Sequence, residues 1–232
     1  MILSEEDWVA LAISLKVAVV ASAASLPFGI AVAWLLARKS FPGKSVLNGL
    51  VHLPLILPPV VTGYLLLILF GRKGAIGSVL DQVFGIVLSF RWTGAALAAA
   101  VMGFPLMVRA IRLSIEGLDR GLESAAATLG ASRFNVFRTI TLPLIMPGIV
   151  TGTILAFAKA MGEFGATITF VSAIPGETKT LAAAIYSYTQ VPGGDEGAMR
   201  LTLISVIVSM AALLASELLA RRVQARTEGR DA

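Results

Sequence analysis

Long apolar stretches separated by short polar connections run along most of the chain. Five of them reach or approach the roughly 20 residues that a helix needs to cross a membrane. They occupy residues 9–37, 46–70, 94–108, 144–171 and 201–219. The pattern predicts an all-α integral membrane protein, a bundle of five transmembrane helices. Residues 74–90 leave room for a sixth, re-entrant segment, although Asp81 and Gln82 disfavour a full span there.

The distribution of basic residues predicts the orientation of these helices. Five spans place the termini on opposite sides, and basic residues concentrate on the cytoplasmic side of membrane proteins. With the acidic amino terminus outside, twelve basic residues lie inside: Arg38, Lys39, Lys44, Arg109, Arg112, Arg120, Arg133, Arg138, Arg221, Arg222, Arg226 and Arg230. Five lie outside: Arg72, Lys73, Arg91, Lys179 and Arg200. The amino terminus is therefore expected outside and the carboxyl terminus in the cytoplasm, and Arg72 and Lys73 fit this rule worst.

Composition agrees with a membrane protein and excludes several kinds of chemistry. The chain of 232 residues is 56% hydrophobic and 14% charged, too apolar for a water-soluble globule. We expect one membrane domain over residues 1–224, followed by a cytoplasmic tail over 225–232. Cysteine is absent, and no metal-ligand cluster or Ser-His-Asp arrangement is visible. Gly43-Lys44-Ser45 lacks the upstream glycine and strand of a phosphate-binding loop, so the chain is predicted to be no enzyme and to need no cofactor.

The second apolar stretch cannot form a straight helix, because Pro54, Pro58 and Pro59 each remove a backbone donor and fix φ. Such breaks occur at membrane depth where protein or a water-filled cavity satisfies the freed backbone groups. Two interpretations remain open at this point. The prolines form a packing kink, or Pro58 and Pro59 border a permeation path.

A polar island over residues 123–143 separates the third and fourth apolar stretches. Helical spacing predicts a short amphipathic helix over residues 118–129, ended by a left-handed Gly130. Ser132 is a good N-cap for a second helix that runs through Ile140 and stops before Pro143. A helix-turn-helix can read DNA, but this one is tethered by short connections to spans on both sides. We therefore expect no nucleic acid partner.

The residues of this island resemble the cytoplasmic signature of ABC-importer permeases. The matching positions are Glu123, Ala125, Ala126, Gly130, Ile140, Leu142 and Pro143. The resemblance implies the type I ABC-importer permease fold. It also implies that residues 116–143 form a coupling loop whose short helix docks on a separate ATPase subunit, which hydrolyses the ATP.

Further segments resemble the molybdate branch of the sulfate/molybdate permeases. They are residues 41–44, 52–61, 103–112, 162–171 and 174–180. This resemblance implies a bacterial or archaeal plasma membrane protein that imports molybdate. The implied partners are a second copy of the chain, ABC ATPase subunits, an extracytoplasmic oxyanion-binding protein and the lipid bilayer. Sulfate and tungstate permeases share the same plan and remain alternatives.

Two charged residues lie within the fourth apolar stretch. Lys159 and Glu163 are four residues apart, which places them on one helix face and predicts an ion pair in low dielectric. One interpretation is a pair that holds the bundle or a dimer together. The other is that Lys159, with the hydroxyls of Thr167 and Thr169, lines a path for a divalent oxyanion while Glu163 moderates the binding.

A secondary anion transporter is the alternative from another functional class. Such carriers commonly show inverted repeats and coupling carboxylates within their spans. Glu163 and, near a helix end, Glu217 are the candidates here. A carrier of this kind would have no use for the docking loop, so the sequence favours the ATP-driven importer.

Overall fold

The computed structural model describes residues 4–228, and this range is helical apart from its connecting turns. The α-helices in chain order are α1 Glu5–Arg38, α2 Lys44–Ile56, α3 Pro59–Phe70, α4 Ala75–Phe84, α5 Trp92–Glu116, α6 Arg120–Thr128, α7 Arg133–Val136, α8 Leu142–Met161, α9 Gly165–Val171, α10 Leu181–Thr189 and α11 Asp195–Glu228. A π-helical segment, Phe137–Thr141, joins α7 to α8 without a break. The predicted all-α class is confirmed.

Within residues 4–228, four helical segments are long and apolar enough to cross a membrane. They are Glu5–Arg38, Trp92–Glu116, Arg133–Met161 and Asp195–Ala215. The bent pair α2 and α3 would be a fifth span, since its two helices pass the same test together despite an angle of 116° between them. The helix α4 has ten residues and therefore a length of about 15 Å, half of a bilayer core. The predicted sixth segment is thus too short to span by itself.

The centre of the bundle is α5, which packs against α1 and α8. One apolar cluster joins Ala18 of α1, Ala95 of α5 and Phe170 of α9, all fully buried. A second cluster joins Leu36, Ile111 and Ile145 from α1, α5 and α8. The two clusters stack along α5, so this helix is held along most of its length. Small residues at these contacts let the helices approach closely, as is common between transmembrane helices.

The bent pair connects the two ends of the bundle. At the end that carries the 117–141 connection, which we call the coupling end, the Arg112 guanidinium donates to the Asn48 side-chain oxygen at 2.9 Å. At the opposite end, which we call the far end, Leu67 and Phe70 of α3 pack against the cluster around Ala95. The chain therefore passes from one end to the other through the break at Leu57 and Pro58, as a broken span.

A polar cluster at the far end ties the first helix to the last two. Ser4 caps α1 and exchanges hydrogen bonds with Asp7, whose side chain is 1% exposed. The Asp7 carboxylate accepts from Arg200 Nη2 at 2.6 Å and from the Tyr188 hydroxyl at 3.2 Å. Because Tyr188 lies on α10 and Arg200 on α11, one buried carboxylate joins three helices.

Three predicted boundaries differ from the structure. The fourth apolar stretch does not form one helix through residue 171, because α8 ends at Met161 and α9 begins at Gly165. The second helix of the polar island does not stop before Pro143 but continues through the π segment into α8. The first part of the predicted tail, residues 225–228, belongs to α11, and residues 229–232 lie outside the described range.

The coupling loop and a pair of helix breaks as candidate functional site

The short helix α6 has defined caps at both ends. The Asp119 carboxylate accepts from the Gly121 amide at 2.8 Å at its amino end. At the other end Gly130 has φ +84°, and the amides of Gly130 and Ala131 donate to the carbonyls of Ala127 and Ala126. These two bonds form a Schellman motif, which favours glycine at the left-handed position. The predicted Gly130 cap is confirmed.

The turn after Gly130 starts the second helix where the sequence predicts it. Ser132 Oγ accepts from the Asn135 amide at 3.3 Å and so caps α7. Beyond α7, the Leu142 amide donates to the Phe137 carbonyl, five residues back, which defines the π turn. Pro143 has no amide hydrogen for the Thr139 carbonyl, and its ring would crowd that carbonyl in a regular α-turn. The wider turn accommodates the proline within a continuous helix.

Glu123, the acidic residue of the signature, is held by two other elements. Its Oε1 accepts from Arg38 Nη2 at 3.0 Å, at the end of α1, and from the Thr141 hydroxyl at 2.7 Å, in the π segment. Arg38 lies over the Trp34 ring, which in turn packs edge-on against Phe137. Glu123 thus connects α6 to the end of α1 and to the π segment. Sequence reasoning missed Arg38 and Thr141, and no local pattern marks them as its partners.

The coupling loop also exposes large apolar side chains. Leu129 is 88% exposed and Phe134 is 70% exposed, and Leu122 on α6 is exposed as well. Among the remaining signature residues, Ala125 and Gly130 are exposed, while Ala126, Ile140, Leu142 and Pro143 are half-buried. Apolar groups grouped at the tip of a polar loop are typical of a protein-binding surface.

A second region brings two helix breaks together in the middle of the bundle. The helix α3 begins at Pro59, directly after Pro58, and both prolines are exposed. A Cβ at Gly165, the first residue of α9, would lie 2.7 Å from Pro59 Cβ, so the close approach requires glycine. The broken second span and the break between α8 and α9 therefore lie against each other.

The predicted ion pair lies at this break. Lys159 Nζ donates to Glu163 Oε2 at 2.6 Å, and the other carboxylate oxygen accepts from the Ala166 amide at 2.9 Å. The Glu163 side chain is 1% exposed and that of Lys159 is 29% exposed. Glu163 lies beyond the end of α8, so it both pairs with Lys159 and caps α9. The lysine keeps a face accessible to a ligand.

The threonine hydroxyl groups near the breaks differ in whether they already have a hydrogen-bond partner. Thr167 donates to the Phe164 carbonyl at 2.8 Å, and Thr169 donates to the Gly165 carbonyl at 2.8 Å. Both hydroxyl protons are therefore engaged within their own helix. Thr62, in the first turn of α3, is buried and its hydroxyl has no hydrogen-bond partner among residues 4–228. In the sequence, the only sign of Thr62 as a candidate is that it lies three residues after Pro59, in the first turn of the helix that this proline starts.

Comparisons with known proteins agree with this architecture. A family of binding-protein-dependent transport system inner membrane components matches residues 25–228. The molybdenum transport system permease protein ModB of Escherichia coli K12 is 61% identical, covering 95% of this chain and 96% of its own. ModB of Haemophilus influenzae is 57% identical, covering 93% and 94%.

A solved structure extends the agreement to the fold. A bacterial ABC transporter involved in the import of alginate has a chain that aligns with a TM-score of 0.75 at 17% identity, covering 95% of this chain and 80% of that one. The predicted type I importer fold is thereby confirmed. The chain belongs to the family of binding-protein-dependent transport system inner membrane components, in the branch that holds the ModB permeases.

Proposed function

We propose that this chain is the membrane-spanning subunit of an ATP-driven importer of molybdate. Two copies form the translocation path, separate ATPase subunits dock on the coupling loop, and an extracytoplasmic binding protein delivers the oxyanion. The observation that carries this proposal is the identity of 61% with a ModB permease along nearly the whole of both chains. The chain itself acts as a transport subunit, and ATP hydrolysis belongs to its partner.

The surface of the coupling loop supports docking of an ATPase subunit. Leu122, Leu129 and Phe134 present exposed apolar groups at its tip. Burying an apolar side chain of this size contributes about 2 kcal/mol, so three of them provide a substantial part of a binding interface. Glu123 lies at the base of this surface and is bonded to Arg38 and Thr141. Movement of the docked helix would therefore reach α1 and α8 directly.

The paired helix breaks support a translocation path in the middle of the bundle. Broken helices at membrane depth are typical of transport sites. Lys159 supplies positive charge there, and Glu163 holds it at 2.6 Å. A dianion needs a cationic group that binds weakly enough to release it, and a lysine shared with a carboxylate meets that condition. Pro58 and Pro59 complete the proposed lining of the path, and Thr167 and Thr169 stand behind it with their hydroxyl protons bonded to the Phe164 and Gly165 carbonyls.

The same proposal implies an orientation of the chain in the membrane and the surfaces that meet lipid or the second copy. The coupling end, with residues 116–143, faces the cytoplasm, so the amino terminus lies outside and the carboxyl terminus inside. Apolar side chains exposed on α2 and α3 are suited to lipid or to the second copy: Val46, Leu50, Ile56, Val60 and Leu65. Residues 1–224 form the permease domain, and residues 225–232 follow it on the cytoplasmic side.

Reconstitution tests the proposed function directly. The chain is purified with its cognate ATPase subunit and placed in phospholipid vesicles, with the matching binding protein outside and ATP inside. We expect uptake of radiolabelled molybdate that requires both ATP and the binding protein. Unlabelled sulfate and tungstate are added as competitors. Inhibition by either competitor at a lower concentration than unlabelled molybdate requires would reassign the anion, and molybdate uptake without ATP would indicate a secondary transporter.

A further inference from the structure

A cavity of about 760 Å³ opens at the far end of the bundle. It lies between the end of α3, the turn that leads to α4, and the loop that precedes α5. Five of its lining residues form what we call the cationic vestibule: Arg72, Lys73, Ser89, Phe90 and Arg91. The vestibule is at the opposite end from the coupling loop, and Lys159 is not among its lining residues.

Two of the three basic side chains in the vestibule have no acidic partner in the part of the chain that the structure describes. Arg72 pairs with Asp81 at 3.3 Å, and its side chain is 73% exposed. Within residues 4–228, neither Lys73 nor Arg91 forms an ion pair, and both side chains are exposed. Of these three cations only Arg72 is ion-paired, and a second carboxylate, Glu177, accepts from the Trp92 amide beside Arg91 without forming an ion pair with it. The charges of Lys73 and Arg91 are free to bind an anion that enters from solvent.

The backbone around the vestibule is tightly built. A Cβ at Gly77 of α4 would collide with the Gly71 carbonyl, so α4 packs directly on the turn that carries Arg72 and Lys73. On the other wall, Phe90 has φ +60°. This left-handed conformation costs a bulky residue about 1–3 kcal/mol and is concentrated at functional sites. It occurs between Ser89, which is buried, and Arg91.

The charges are unexpected for this side of the membrane. In the proposed orientation the far end is extracytoplasmic, where membrane proteins carry few basic residues in short loops. A reason other than topology is therefore needed for Arg72, Lys73 and Arg91. An anionic substrate that enters at this end provides one, since a concave cationic site raises the local concentration of anions and their rate of capture.

We propose that the cationic vestibule binds the tetrahedral oxyanion at the outer mouth, after the binding protein releases it and before it reaches Lys159. This inference rests on the proposed import of an oxyanion. Arginine and lysine donors suit the oxygens of a tetrahedral dianion, and water around the exposed side chains keeps the binding weak. The phosphate of a lipid headgroup offers the same chemistry, and the experiment separates the two sources.

The test compares variants in vesicles made of phosphatidylcholine alone. Lys73→Gln with Arg91→Gln removes the two unpaired charges and leaves the Arg72 pair with Asp81 intact. The control is Lys179→Gln, which removes one half-buried charge, paired with Glu6 at 3.7 Å, at the same end but outside the vestibule. We expect uptake of molybdate at low ionic strength to fall about tenfold in the double variant and to stay near the wild-type rate in the control. The difference should shrink at 0.5 M salt, where charges are screened beyond about 4 Å.

A binding measurement covers the case in which the variant assembles poorly. Binding is measured by equilibrium dialysis of radiolabelled molybdate with the wild-type permease–ATPase complex in detergent. The binding protein is left out. We expect weak binding that added sulfate displaces, and weaker binding in the Arg91→Gln variant. No binding to the wild-type complex above that of the detergent alone would overturn the proposal.

Other outcomes in the vesicles assign the charges to another ligand. Equal uptake by wild type and double variant in phosphatidylcholine, with a difference appearing only when phosphatidylglycerol is added, would assign them to lipid headgroups. A defect that excess binding protein abolishes would assign them to docking of that protein. Either result would overturn the proposal that the vestibule binds the oxyanion. If the wild-type protein imports no oxyanion at all, the proposed function itself is wrong.

Discussion

At the scale of single residues, Gly130 controls the geometry of the coupling loop. Its φ of +84° lies in the left-handed region, and open space surrounds the position of a Cβ. Gly130→Val therefore introduces backbone strain of about 1–2 kcal/mol without a steric clash. We predict that this variant hydrolyses ATP but imports molybdate severalfold more slowly, measured as ions imported per ATP in vesicles.

Asparagine provides the matched control at this position. Asn tolerates the left-handed region better than other non-glycine residues, so Gly130→Asn should retain most of the uptake. Equal coupling in the valine and asparagine variants would show that the Schellman cap does not set the position of the docking helix.

Lys159 and Glu163 give a second prediction at this scale. Removing one member of a largely buried pair costs about 3–5 kcal/mol, because the remaining charge has lost its partner. Glu163 is the more buried member, and its carboxylate also caps α9 through the Ala166 amide. We predict that Lys159→Met lowers both thermal stability and uptake. In the double variant with Glu163→Gln, stability should recover while uptake stays low.

Recovery of uptake in that double variant would show that the Lys159–Glu163 pair only stabilises the protein and does not serve the anion. Glutamine is chosen over alanine because its side-chain oxygen can still accept from the Ala166 amide. Stability is read from thermal unfolding of the detergent complex, and uptake from vesicles that contain equal amounts of assembled protein.

Local spacing predicted the residues that act through near neighbours. Gly130 and Ser132 cap helices within a few residues of themselves, and Lys159 pairs four residues along the chain. The partners of Glu123 could not be predicted in this way. Arg38 is 85 residues away and Thr141 is 18 residues away, so only the packing of α1, α6 and the π segment brings them together.

At the scale of elements, the π segment connects α6 to the fourth span. Thr141 is buried there, and its hydroxyl donates to Glu123 Oε1 at 2.7 Å. Hydrogen bonds to charged groups contribute about 1.5–3 kcal/mol. We predict that Thr141→Val loosens the contact between α6 and the π segment and lowers the number of ions imported per ATP, with ATPase activity retained.

Serine at this position separates the hydrogen bond from packing. Thr141→Ser keeps the hydroxyl and loses only a methyl group, so its transport should stay close to that of the wild type. The same loss in both variants would attribute the effect to the methyl group, and the role assigned to the bond with Glu123 would be wrong.

The elements themselves were predicted well where hydrophobicity alone determines them. All five apolar stretches correspond to spans or to the bent pair, because membrane insertion depends on length and apolar content. The break between Met161 and Gly165 was missed, since no proline marks it and Gly162 is tolerated within helices. The π segment was missed for a related reason. Pro143 was interpreted as a helix end, although a widened turn can contain it.

At the scale of the whole molecule, the five-span arrangement predicts the location of both termini. Single cysteines at Ser4 and Gln224, in a chain that has none of its own, should react with a membrane-impermeant thiol reagent from opposite faces. Intact and inverted vesicles distinguish the two faces. A cysteine in place of Ser45, at the coupling end, serves as the cytoplasmic reference.

Labelling of both termini from the same face would require an even number of spans. The bent pair would then be re-entrant, with α3 returning to the side on which α2 began. The contacts of Asn48 with Arg112 and of Phe70 with the cluster around Ala95 argue for the opposite result, because they lie at different ends of α5.

The buried carboxylate of Asp7 sets an order of events during synthesis. Its partner Arg200 follows 193 residues later. At 5–20 residues per second, the first helix waits about 10–40 s before the guanidinium is made. During that interval the amino end of α1 remains hydrated or held by the insertion machinery, since an unpaired carboxylate resists burial. A chain that ends before α11 therefore keeps the packing of α1 against α5 and α8 but leaves the Asp7 carboxylate without its guanidinium partner.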